Sequence, residues 1–171
     1  MTTTAPTERN EIAALRHQAR ITDIVLRLTL DGLTQKDTLI RPQPAGNCLN
    51  WVVGHLVAIY HNVLPMLGQE PVLSPDVLKP YDRGGPPLRD GAGVLDISEL
   101  LAAWSETSRR VDAGLAAIDP ATLGDPAPFS PGGDPNETVG TLLATITWHQ
   151  GYHVGQAGLL RRMAGKPGVI G

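Results

Sequence analysis

His149 and His153 are the residues of this chain whose type and spacing point most directly to chemistry. In an α-helix, side chains four residues apart lie one above the other on the same face. Two imidazoles on one face can bind a single divalent cation, because imidazole nitrogen is a good ligand for zinc, nickel and related metals. Two hydrogen-bonded core histidines would have the same spacing, so a third ligand is needed to favour a metal site.

His55 is the candidate for that third ligand. At about 100° of rotation per residue, it shares the apolar face of its segment with Val52 and Ile59, whereas His61 points about 120° away. Three inward-facing imidazoles from two helices predict a metal site with one or two open coordination positions for water or a substrate. His17 lies on an apolar stripe of the first segment and is a further, less favoured candidate, because its place near the helix start could leave it exposed.

The carboxylate expected of a hydrolytic site is missing from both ligand segments. Residues 149–153 have the spacing of the His-Glu-x-x-His zinc protease motif, but Gln150 stands where the general-base Glu is required. The composition also argues against a carboxylate-rich di-iron bundle and against a site of two histidines and one carboxylate. Activation of a bound thiol needs no protein base and is favoured. Hydrolysis is disfavoured rather than excluded, because a carboxylate from the first or third helix could still reach the site, with Asp23, Glu106 and Asp112 as candidates.

Four segments with helical periodicity must position these histidines, at about residues 8–33, 48–67, 96–118 and 137–164. Asp96 and Glu99 form a capping-box-like start of the third segment, and Gly165 is the predicted stop of the fourth. Short helical turns are expected to begin at Ser74 and Asp119, because each precedes a proline suited to the first helical position.

The predicted fold is an all-α four-helix bundle with long connections at residues 34–47, 68–95 and 119–136. These connections hold most of the prolines and are longer than those of a simple up-down bundle, so they permit crossovers between parallel helices. A chain of 171 residues is long enough for one domain with its own core. We therefore expect a single domain over residues 1–171, with residues 1–7 disordered.

Composition and charge exclude several classes of function. The net charge is −3, and no run of Lys and Arg lies along a helix, so nucleic-acid binding is not expected. No apolar run approaches about 20 residues and the start lacks the features of a signal peptide, so we expect a cytoplasmic protein without a membrane anchor. Cys48 is the only cysteine, which rules out an intramolecular disulfide.

Two motifs carry a resemblance to a known family. They are Trp-x-x-x-His at residues 51–55 and Trp-His-x-x-Tyr-His-x-Gly-Gln at residues 148–156. With these motifs the chain resembles the DinB/YfiT-like superfamily of four-helix metal proteins, over about residues 8–165. The resemblance implies an up-down-down-up topology, a zinc or nickel site formed by His55, His149 and His153, and homodimers.

The resemblance also implies a class of function. Relatives include S-transferases and isomerases that use low-molecular-weight thiols such as bacillithiol or mycothiol, so a thiol and a small electrophile are the implied ligands. Three functions stay open from the sequence. They are a thiol-dependent transferase or isomerase, a hydrolase that uses metal-bound hydroxide, and a non-enzymatic, stress-responsive module whose metal only stabilises the fold.

Four further residues are predicted to line the pocket around the histidines. Asn62 and Gln156 share the metal-facing stripes of their helices and could orient an imidazole, a water molecule or a substrate. Trp51 and Tyr152 flank those stripes and could form apolar walls. Ordinary hydrogen bonding between helices and simple core packing are the alternatives for these two pairs.

Overall fold

The chain folds into a helical bundle, as a computed structural model that describes residues 6–88 and 93–170 shows. The long helices are α1 (Pro6–Leu30), α3 (Leu49–Val63), α5 (Ile97–Ala117) and α6 (Val139–Met163); the short ones are α2 (Gln35–Thr38) and α4 (Pro75–Leu78). Single 3-10 turns span Leu64–Leu67, Lys79–Tyr81 and Pro120–Gly124. Within the described residues the only β-type pairing is an isolated bridge. The predicted all-α class is confirmed.

Side-chain caps set where the long helices begin. The Asp96 carboxylate accepts a hydrogen bond from the Ser98 backbone N–H, and Glu99 accepts one from the backbone of Asp96, as the predicted capping box requires. Helix α6 begins two residues later than expected, because Thr138 is its N-cap and bonds to the backbone of Thr141.

Helix α3 also differs slightly from its predicted extent. It continues from Val63 to Leu67 only as a 3-10 turn that contains Pro65, which has no N–H to donate to the helical ladder. The predicted disorder of residues 1–7 falls mostly on residues 1–5, which lie outside the described residues, whereas Pro6 opens α1.

The four long helices form a ring in which α1 and α3 each pack against α5 and α6. Two contacts along each pair of helices show their relative direction. Between α1 and α5 they are Arg16–Asp112 and Asp23–Trp104, and between α1 and α6 they are Ala19–Gln150 and Thr29–Arg161. Between the α3 and α5 segments, Asn50 contacts Leu95 at one end and Leu67 contacts Gly114 at the other. Helix α1 is therefore antiparallel to α5 and parallel to α6, and α3 is parallel to α5. These are the directions of an up-down-down-up bundle.

The buried apolar side chains of all four long helices belong to one core. Trp104 on α5 and Leu56 on α3 are among its largest fully buried members. Of the described helices, none has both the length and the apolar character that crossing a membrane would require. The antiparallel faces of α3 and α6 are the part of the bundle that positions the histidines.

Candidate metal centre

The structure brings His55, His149 and His153 together between α3 and α6. One ring nitrogen from each lies within 4.8 Å of the others. His149 Nε2 and His153 Nε2 are 3.0 Å apart, which follows from their spacing of one helical turn. The ring of His55 has its centre 5.3 Å from that of His149 and 5.0 Å from that of His153.

Two of the imidazoles are oriented by hydrogen bonds on their far sides. His55 Nδ1 lies 2.9 Å from the backbone carbonyl of Tyr81, and His153 Nδ1 lies 2.7 Å from Gln156 Oε1. Because both partners accept, each Nδ1 carries the proton, and each Nε2 keeps a free electron pair. Gln156 in turn donates from Nε2 to the Tyr152 hydroxyl at 3.0 Å. Metal-binding histidines are held by partners of this kind.

The sequence patterns did not identify Tyr81, whose carbonyl holds His55. Its side chain is fully buried, and its hydroxyl accepts from the Leu95 N–H at 2.8 Å and donates to Asn50 Oδ1 at 3.3 Å. Its ring packs so closely on Gly54 that a β-carbon at that position would overlap it. A glycine inside an apolar helix, one residue before His55, is the sequence signal that marks this close approach.

Burial keeps the three imidazoles neutral. Loss of solvation lowers the pKa of His149 to about 4, and both the proximity of His55, which would repel a second protonated ring, and the charge of Arg83 act in the same direction. Loss of solvation, followed by His149 and His55, lowers the pKa of His153 to about 4, against the opposing hydrogen bond to Gln156. The pKa of His55 is also lowered, mainly by burial. Neutral imidazole is the form that binds metals.

The donor set fits a divalent cation. His153 Nε2 carries no proton and lies 3.0 Å from His149 Nε2, so it either accepts a hydrogen bond from His149 or, with the His149 proton on Nδ1, faces a second electron pair that a cation would stabilise. In a tetrahedral zinc site with bonds of about 2.0–2.1 Å, neighbouring nitrogens lie about 3.3 Å apart, close to this distance. His149 Nδ1 is buried with no hydrogen-bond partner in the described part of the chain, so an outer hydrogen bond does not fix the orientation of this ring.

The three histidines open into a cavity of about 640 Å³. Trp51 forms part of its wall and stacks on His55, with ring centres 4.4 Å apart and an angle of 11° between the rings. The other described lining residues are Pro42, Ala45, Gly46, Asn47, Arg83, Trp148, Tyr152, Gln156, Leu159 and Leu160. Asp and Glu are absent from these lining residues, so no carboxylate of the described chain serves as a base there.

The remaining predicted site residues divide into two groups. Trp51, Tyr152 and Gln156 line the cavity. Asn62 does not: it is exposed and lines a separate depression, so its predicted place beside the metal is wrong. Asn62 shares the angular position of His55 but lies seven residues, about 10 Å, further along the helix axis. His17 is exposed on α1 and belongs neither to the cavity nor to the histidine group.

Gln150 does not face the cavity either. Its side chain is buried on another side of α6, where Oε1 accepts from the Tyr60 hydroxyl at 2.6 Å and Nε2 donates to the Ala19 carbonyl at 3.2 Å. The interpretation of Gln150 as the residue in the general-base position is therefore corrected. One residue of helix turns the side chain by about 100°, which takes it away from His149 and into the contact with α1.

The three acids proposed as alternative bases are engaged elsewhere. The pairs are Asp23 with Arg27 and Trp104, Asp112 with Arg16 and Arg20, and Glu106 with Arg109 and Arg110. Their arginine partners lower the pKa of Glu106 and of Asp112 to about 2. None of the three acids lines the histidine cavity.

Comparison with known proteins gives a family and a fold. The model of the DinB superfamily matches residues 15–157. The crystal structure of a conserved protein from Enterococcus faecalis superposes with a TM-score of 0.68 over 89% of this chain and 95% of that one, at 16% sequence identity. This likeness concerns the fold. No curated protein matches the chain.

Proposed function

The chain belongs to the DinB superfamily, and from this we propose that it is an enzyme that uses a divalent metal to activate a low-molecular-weight thiol toward a small electrophile. One observation carries the proposal: three neutral imidazoles meet at a cavity whose described lining contains no carboxylate. Zinc and nickel are the proposed metals, since both bind imidazole readily. A thiol of the bacillithiol or mycothiol type is the proposed co-substrate.

The side chains around the cavity have separate tasks in this proposal. A bound divalent cation would supply the positive charge that lowers the pKa of a thiol. His55, His149 and His153 would hold the cation, and the Tyr81 carbonyl and Gln156 keep two of the rings oriented. In the reaction the thiol sulfur forms a bond to an electrophilic carbon while the bond from that carbon to its leaving group breaks, and the thiol proton passes through solvent to the leaving group.

The test is the spectrum of protein loaded with Co(II), which substitutes for zinc and is visible in absorption. We expect one equivalent of Co(II) in the wild type, a thiolate charge-transfer band on addition of thiol, and neither in His153→Ala. His17→Ala is the matched control, because His17 is exposed and lies outside the cavity. A Co(II) spectrum that no thiol changes, with no turnover of any electrophile, would overturn the proposal.

The two alternatives make different predictions. Hydrolysis by bound hydroxide predicts activity without thiol that rises with pH through about 7, and the acids that could assist it are paired elsewhere in the bundle. A purely structural metal predicts a filled coordination shell. His17, the candidate for filling it, is outside the cavity. Water exchange at the bound metal distinguishes an open shell from a filled one.

We also propose that two copies of the chain pair through α1 and α6. Ile21, Ile24 and Leu28 on α1 are 46%, 51% and 50% exposed, and Leu159 on α6 is 60% exposed. Large apolar side chains that cluster at a surface favour a partner. Ile24→Arg should produce a monomer in sedimentation velocity. Val77→Arg, at an exposed apolar residue on α4, should leave the mass unchanged.

A further inference from the structure

The histidine cavity has a positive charge on one wall. Arg83 is the one residue with a permanent charge among the described residues that line it. Asp82, the neighbouring acid, acts on the pKa of His55 in the opposite direction to Arg83, but it is not among the residues that line the cavity. A guanidinium at the wall of the cavity favours a ligand with a negatively charged group that contacts it.

Arg83 is positioned by the same connection that orients the metal site. It follows Tyr81 by two residues, and the Tyr81 carbonyl binds His55. Arg83 itself is exposed, and the guanidinium is free of ion pairs within the described residues.

Aromatic rings form another part of the cavity wall. Trp148 and Tyr152 stack on each other with ring centres 5.9 Å apart, and they are 68% and 53% exposed. Both line the cavity that contains Arg83. Exposed aromatic faces bind flat apolar groups, and a guanidinium binds a carboxylate through two parallel hydrogen bonds.

We propose that Arg83 selects, as the ligand of this cavity, a carboxylate with a planar apolar body that lies against Trp148 and Tyr152. The planar guanidinium presents two parallel N–H donors that match the two oxygens of a carboxylate, which is why a carboxylate is the proposed group. The inference rests on the proposed function in one respect: it takes this ligand to be the substrate that reacts at the metal. Recognition of the anion requires neither the metal nor a thiol.

The experiment titrates the full chain, with and without one equivalent of zinc, and follows tryptophan fluorescence, since Trp51 and Trp148 both line the cavity. The probes are benzoate and benzamide, which have the same shape but differ in charge. The wild type should bind benzoate more tightly than benzamide. Arg83→Gln should lower the affinity for benzoate about tenfold, a typical loss for a charged hydrogen bond, and leave the affinity for benzamide unchanged.

Lys79→Gln is the matched control, because it removes a positive charge from the same connection at an exposed residue outside the cavity lining. If Arg83→Gln and Lys79→Gln weakened benzoate binding equally, the effect would come from the net charge of the protein, and the inference would be overturned. Equal affinity of the wild type for the two probes, or no saturable binding of either, would also overturn it.

Trp148→Leu tests the aromatic wall and should weaken benzoate and benzamide by the same factor, with Trp51 left as the reporter. Unchanged binding of both probes would remove Trp148 from the proposed site. Failure of the metal proposal has a different signature: benzoate selectivity that depends on Arg83 would persist while no thiol changed the Co(II) spectrum.

Discussion

The ring of Tyr81 lies on the backbone of α3 at Gly54, in the space that a β-carbon would occupy. Because His55 is the next residue, this contact decides where the connection after α4 meets the metal site. The Tyr81 carbonyl then accepts the Nδ1 proton of His55 at 2.9 Å. A backbone contact that involves no metal ligand thus determines the orientation of one.

Gly54→Ala should disrupt this arrangement. Alanine has the higher helix propensity, by about 1 kcal/mol, but the overlap with the Tyr81 ring should outweigh that gain and lower the free energy of unfolding by about 1–3 kcal/mol. Metal affinity should fall as the carbonyl moves away from His55. Urea denaturation and Co(II) titration measure the two effects. Gly155→Ala is the control, since nothing lies within 4 Å of a β-carbon there; similar losses in both variants would contradict the explanation.

Gln156→Leu should weaken metal binding without loosening the fold. It removes the acceptor for His153 Nδ1, and the loss of such a partner typically costs 10-fold to 100-fold in metal affinity. Gln156→Glu keeps an acceptor and should retain or raise the affinity. Competition with a chelator gives the dissociation constants. Gln18→Leu, at an exposed residue of α1, controls for the loss of an amide. Equal affinity in Gln156→Leu and the wild type would rule out this role.

Gln150→Glu should not create a hydrolase, although it completes the His-Glu-x-x-His pattern. The side chain is buried between Tyr60 and the Ala19 carbonyl, on a side of α6 that does not face the cavity. A carboxylate has no hydrogen to donate to that carbonyl, so we expect a loss of about 1–3 kcal/mol of stability. Thermal unfolding and ester hydrolysis assays with added zinc check both statements. A gain of zinc-dependent hydrolysis would show that the residue reaches the site.

The metal-free protein should lose stability as the pH falls from about 6.5 to about 4. A histidine in the unfolded chain titrates near 6.5, whereas the pKa of His149 and of His153 in the fold is about 4. Between these values the unfolded chain binds more protons, so protonation favours unfolding. Urea midpoints above, within and below this window measure the effect. The slope should be smaller in His153→Gln and unchanged in His17→Gln; equal slopes in all three proteins would contradict the assignment.

The helices and the histidine cluster could be predicted from the sequence because the information is local. The i,i+4 spacing of His149 and His153 fixes their common face, and the apolar stripe of α3 distinguishes His55 from His61. The capping hydrogen bonds of Asp96 are also local, so the sequence pattern at Asp96 predicted the start of α5 correctly. The family motifs lie on these same two helices, so the resemblance and the periodicity led to the same three residues.

What the sequence did not predict depends on position along the axis and on the path of the connections. The prediction for Asn62 used only its angle around the helix axis, which matches that of His55, although two helical turns separate the two residues along the axis. The neighbour that Gln150 would contact on α1 could not be inferred from its own helix. Tyr81 and Arg83 belong to a connection without periodicity, and only the packing of the Tyr81 ring on Gly54 places them at the site.

The hydrogen bond between Tyr60 and Gln150 has a consequence for how this scaffold could be altered. It joins the same two helices that carry the histidines, one residue from His149, yet it includes no metal ligand. The rotation of α6 against α3 is therefore set in part by a contact in which positions 149 and 153 take no part. A cysteine or a carboxylate at those positions would leave this contact in place, so the bundle is suited to changing its metal preference without first redesigning its fold.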